Sequence, residues 1–156
     1  MIYVLAFVSI FFIQNLVMFL IGCLYELSYN FFNIDFWVTY TFLIAIVGYI
    51  ICGILLYFLN KKYFHIKLRF VIILILISSM IITTSFLICL GTIRIPFENF
   101  ESLLLHFWVI IFCASGDPMR IIGLGLHCIP GLILFTPLSF CFGKLMDKGK
   151  RRQEAQ

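Results

Sequence analysis

Three histidines and six cysteines are the side chains of this 156-residue chain best suited to catalysis or metal binding. Gly123, His127 and Gly131 recur every four residues and share one helical face. That puts an imidazole in a small-residue groove, suited to a ligand or a proton, though a histidine hydrogen-bonded at a helix contact is the plainer reading. His106 follows Glu98 and Ser102 on a second four-residue stripe and is the other candidate binding residue, whereas His65 belongs to a basic loop. His127 and Cys128 are adjacent, so on a helix they point about 100° apart and cannot act as base and nucleophile. Pairing His127 with Cys113, or His106 with Cys128, would need two helices to meet and has no surrounding motif. An intramembrane enzyme is therefore the least favoured reading, and a non-enzyme is expected.

The cysteines (Cys23, Cys52, Cys89, Cys113, Cys128 and Cys141) lie mostly inside apolar runs without CxxC spacing. There they read as small buried hydrophobes, with one bridge between Cys23 and Cys89 open. No metal site, nucleotide loop or cofactor motif can be read from the chain. Leu20-Ile21-Gly22-Cys23 resembles a bacterial lipobox over four residues, but lacks the usual basic start.

The remaining polar chemistry lies within the apolar runs. Gln14 and Asn15 interrupt the first, and Ser78, Ser79, Thr83, Thr84 and Ser85 cluster in the third. Amides in lipid need partners, so Gln14 and Asn15 are expected to pack against the hydroxyl cluster, Ser79 and Thr83 included. The alternative use of these hydroxyls is a polar pathway in an oligomeric channel or transporter.

The elements that must position these residues follow from composition. The chain is 63% hydrophobic, 18% aromatic and 12% charged, against roughly 25% charged residues in soluble domains. This is the composition of an integral membrane protein in a single all-α domain. Spans are expected at residues 2–24, 37–59, 70–93 and 118–143, each near the roughly 20 apolar residues a bilayer needs. Residues 60–69 form a basic loop between the second and third spans, and 144–156 a basic tail. The aromatics between Tyr25 and Trp37 suit a headgroup belt. Gly48 and Cys52 make a small-xxx-small spacing on the second span. Pro130 and Pro137 should bend the last span by freeing the carbonyls of Leu126 and Ile133.

Residues 96–114 are long enough to cross, but Glu98 and Glu101 each cost on the order of 3 kcal/mol at a span centre. Ser115-Gly116-Asp117-Pro118 then supplies a helix stop, a cap and a first-turn proline. Lys61, Lys62, Lys67 and Arg69 ask for a cytoplasmic loop, and the tail asks for the same side. One net crossing then remains between residues 94 and 144. Four transmembrane helices with both termini cytoplasmic satisfy that parity, with 96–114 as a re-entrant or interfacial helix.

The formal charge of +4 sits in clusters beside apolar runs, so it reads as topology and not as a nucleic-acid footprint. No ionisable residue lies at a span centre and no internal repeat is visible, which disfavours an ion-coupled transporter. Short loops and the absence of a glycosylation sequon fit a bacterial inner membrane. In organisation alone, with no residue motif, the chain resembles the immunity proteins that block pore-forming bacteriocins. That resemblance implies a non-enzymatic multi-pass protein acting on another membrane component. The partners expected are the lipid bilayer and another membrane protein or a homo-oligomer, and no nucleic acid.

Overall fold

The computed structural model describes residues 1–32, 37–89 and 118–153, together with 103–104, 106–108 and 110; side chains are described for most of these. The described residues form an all-α protein. Four helices account for nearly all of them: α1 (Ile2–Phe32), α2 (Trp37–Leu59), α3 (Leu68–Cys89) and α4 (Pro118–Gln153). Four stretches are long and apolar enough to cross a membrane, at Ile2–Tyr25, Phe42–Phe64, Leu68–Cys89 and Cys128–Asp147, the second running past the end of α2 into the turn that follows it. The protein is a membrane protein.

Two helices run past the expected ends of their spans. α1 continues to Phe32 because residues 25–32 contain neither glycine nor proline, and Tyr25 is buried. At 1.5 Å per residue its 31 residues reach about 46 Å, longer than a hydrocarbon core of roughly 30 Å. α4 starts on Pro118, where a missing N–H costs nothing. It continues helically through Pro130 and Pro137 and on into the basic tail as far as Gln153.

The basic loop is a compact turn. Residues Asn60–Phe64 form one π-helical turn, closed by the His65 amide donating to the Asn60 carbonyl at 2.7 Å. His65 is left-handed, with φ 50° and ψ 28°, a conformation that costs a non-glycine residue about 1–2 kcal/mol. The Asn60 side chain compensates by clamping the next residue. Its Nδ2 donates to the Ile66 carbonyl at 3.0 Å, and its Oδ1 accepts from the Ile66 amide at 3.1 Å. Ile66 is buried, and α3 begins two residues later.

Lipid tails are as apolar as leucine, so close packing and hydrogen bonds must hold such helices together. α2 and α4 approach most closely. A Cβ added to Gly53 would collide with Ser139 Oγ and the Thr136 carbonyl, and would lie 2.9 Å from the Phe140 nitrogen. Nothing larger than glycine fits that crossing. On either side of it a tyrosine of α2 lies over a glycine of α4. Tyr49 covers Gly131, and Tyr57 covers Gly143. The small residue Gly48, on the same helix, instead faces Val17 and Ile21 of α1. α3 buries Val71, Ile75, Ser78, Ile82 and Phe86, the three-and-four spacing of a single helical face.

Candidate functional site

Among the described residues two clusters of polar side chains bridge helices through side-chain pairs. The first lies between α1 and α3. Gln14 is fully buried; its Nε2 donates to Ser79 Oγ at 3.1 Å, and its Oε1 accepts from Ser78 Oγ. Asn15 turns back on its own helix, Nδ2 donating to the Phe11 carbonyl at 2.8 Å. Ser79 and Thr83 also donate to their own helix, to the Ile75 and Ser79 carbonyls, each at 2.8 Å. Of the four helix-packing residues read from the sequence, Gln14 and Ser79 therefore meet across helices, while Asn15 and Thr83 bond locally. Ser78 completes the group.

The second set lies where α2 ends and α4 leaves the apolar zone. Lys61 Nζ stands 2.6 Å from Asp147 Oδ1, and the Tyr57 hydroxyl donates to Asp147 Oδ2 at 3.0 Å. Both carboxylate oxygens are thus engaged from α2 and the turn that follows it. Beside them opens a pocket of about 340 Å³. Ile66, Leu68 and Phe140 supply apolar wall, and Tyr57, Asn60, Lys61, His65, Lys144 and Asp147 supply polar groups. Tyr57 packs edge-on against Phe140 at 5.8 Å between centroids, so the pocket wall is tied to the α2–α4 seam. Sequence reasoning missed this cluster, reading 60–69 for orientation only. The available signal was Asp147, an acid set between Lys144 and Lys148 in the basic stretch that follows Gly143.

The same end of the bundle also holds the start of the chain, since Tyr3 meets Phe70 edge-on at 5.8 Å between centroids. At the opposite end the Phe86 ring occupies the notch left by Gly125 and meets Trp108 edge-on at 5.1 Å. Trp108 is fully buried. His106, two residues before it, is exposed. Gly123 and His127 sit on α4, but the His127 side chain is not described, and Glu98, Glu101, Ser102 and Cys113 lie outside the described residues. Cys128 is fully buried against Tyr49. Cys23, Cys52, Cys89, Cys128 and Cys141 are not joined in disulfides. Among the described residues no group of three or more His, Cys, Asp or Glu could hold a metal ion.

Between α1 and α2 an apolar groove of about 370 Å³ runs along Val17, Ile21, Val47 and Gly48. The chain matches no protein-family model, and neither a curated protein nor a solved structure matches it.

Proposed function

We propose that this is a multi-pass protein of a bacterial inner membrane that acts without catalysis, by binding another membrane component, as immunity-type or accessory proteins do. The observation that carries the reading is the state of Gln14. Both ends of its amide are engaged by Ser78 and Ser79, so the serines that a polar pathway would need are consumed in holding α1 to α3. Thr83 and Ser85 donate to carbonyls of their own helix. Among the described residues the outward face of the spans is mostly apolar, with Phe12, Val47, Ile81 and Leu134 all facing outward and Thr84 the exposed hydroxyl of the third-span cluster. Such a surface meets lipid or another transmembrane segment.

Four crossings with both termini cytoplasmic accord with the contacts between helix ends. Tyr3 with Phe70, and Lys61 with Asp147, gather the start of the chain, the 60–69 turn and the beginning of the tail at one end. That end carries Lys61, Lys62, Lys67, Arg69 and Lys144, which favours the cytoplasm. Phe86 touches both Gly125 and Trp108 at the other end, so α3 leaves and α4 returns on one side. This supports a re-entrant or interfacial segment over a fifth crossing.

Photocrosslinking residues placed singly at Phe12, Val47, Ile81 and Leu134 test the reading in native membranes. A discrete protein adduct from one face is the expected result, and lipid adducts alone from all four would sink it. The second reading, an oligomeric channel, is separated by mass in detergent. A particle of one 18.2 kDa chain leaves no room for an aqueous path, whereas a stable oligomer that conducts in planar bilayers would favour the channel. A reporter fused after Gln156 that reads as extracytoplasmic would overturn the topology independently.

A further inference from the structure

We infer that the pocket between the 60–66 turn and α4 is a binding site for the phosphate headgroup of an anionic phospholipid. Three observations converge on it. It is a concavity of about 340 Å³ with a mixed lining, and it lies where the apolar stretch of α4 gives way to basic residues, the depth at which lipid phosphates sit. Its cations are not all committed: Lys61 is held by Asp147, but among the described residues Lys144 has no carboxylate partner. Its apolar wall, Ile66, Leu68 and Phe140, suits the glycerol and first methylenes of a lipid, which a free anion would leave empty.

Basic pockets between transmembrane helices are general headgroup receptors, because each lysine near the surface adds attraction to an anionic lipid. Here the pocket is also pre-shaped. The Asn60 clamp holds the Ile66 backbone, and Tyr57 fixes Asp147 from the side opposite Lys61. A phosphate between Lys61 and Lys144 would share Lys61 with Asp147, so Asp147 acts as a built-in competitor that limits affinity. Its removal should strengthen binding even as it loosens the α2–α4 junction. That opposition of sign distinguishes a lipid site from a purely structural ion pair.

The test is native mass spectrometry of the intact protein in detergent, titrated with phosphatidylglycerol or with phosphatidylcholine of the same acyl chains. The expected result is one phosphatidylglycerol retained in preference to phosphatidylcholine. Lys144→Gln should weaken that retention about fivefold, Asp147→Asn should strengthen it, and Lys62→Gln, outside the pocket, should leave it unchanged. Equal retention of the two lipids by the unmodified protein, or retention unaffected by Lys144→Gln, would overturn the assignment. Inorganic phosphate provides the last arm. If millimolar phosphate displaces the lipid completely, the pocket reads phosphate alone and the lipid assignment fails; if the lipid stays, its apolar portion contributes as inferred. The measurement does not depend on which face of the membrane the pocket occupies, so its failure and that of the proposed topology are separable.

Discussion

The α2–α4 seam and the α1–α3 contact solve the same problem by different means. In water either pair would be driven together by burial of apolar surface, but in lipid that drive is absent. α2 and α4 replace it with proximity: Gly53 lets the helices touch backbone to backbone, with Ser139 Oγ donating at 3.3 Å to the Tyr49 carbonyl across the gap. α1 and α3 replace it with a hydrogen-bonded amide, Gln14 between Ser78 and Ser79. The first device is intolerant of added volume, and the second is intolerant of lost polarity. Of these two interfaces, the first should respond mainly to added volume and the second mainly to lost polarity.

The sharpest way to break that contrast is Gly53→Leu. A side chain there meets the Thr136 carbonyl and the Phe140 nitrogen of α4, which are backbone atoms and cannot turn away. Overpacking of this kind costs about 3 kcal/mol or more, so we expect loss of monodisperse protein in a thermal size-exclusion assay. Gly131→Ala is the milder version. Its Cβ would lie 2.6 Å from Tyr49 Cδ2, and because a ring can shift, the expected cost is about 1–2 kcal/mol. If Gly53→Leu melts like the parent protein, close approach is not what holds the seam.

Gln14→Leu comes next in size. Membrane hydrogen bonds average about 0.6 kcal/mol and reach about 1.7. Ser79 can fall back on its bond to Ile75 and thereby soften the loss, so about 1 kcal/mol is expected. Combined with Gly131→Ala the effects should add to within about 0.5 kcal/mol, because the two sites share no partner. A larger coupling would mean that the interfaces are not independent. The smallest effect belongs to Lys61→Gln. Its side chain is 44% exposed, so the ion pair contributes about 0.5 kcal/mol, and the melting difference from the parent should shrink as salt is added.

Parts of this arrangement were legible in the residues and parts were not. Gln14 announces its own contact, because an amide in lipid must find a partner and the hydroxyl cluster of the third span lies at matching depth, whereas Asn15, expected to do the same, bonds to its own helix. The two tandem apolar runs around Asn60 to Arg69 announce a helical hairpin. Gly48, by contrast, looked like the packing glycine of α2, and it faces α1, while Gly53 makes the closest crossing. The Lys61–Asp147 pair spans 86 residues, and nothing local in either stretch points to the other. His106 and His127 carried the most chemical promise by type. The first is exposed at the end of the bundle where Trp108 is buried, and the side chain of the second lies outside the described residues.

The sequence by itself determined that the described residues are helical, where four stretches able to cross a membrane lie, and which end of the hairpin is basic. These are properties of composition along a line: about 20 consecutive apolar residues are enough. Apart from the α1–α3 contact that Gln14 announces, only the tertiary structure decided which helix lies against which, that α2 and α4 form the tight seam, and that Asp147 closes it beside a basic pocket. The physical reason is that in a membrane the packed face and the lipid face are equally apolar. Hydrophobic periodicity, which in a soluble protein would point each helix toward its neighbour, is nearly silent here, and the choice is left to the shapes of a few glycines and the reach of a few polar side chains.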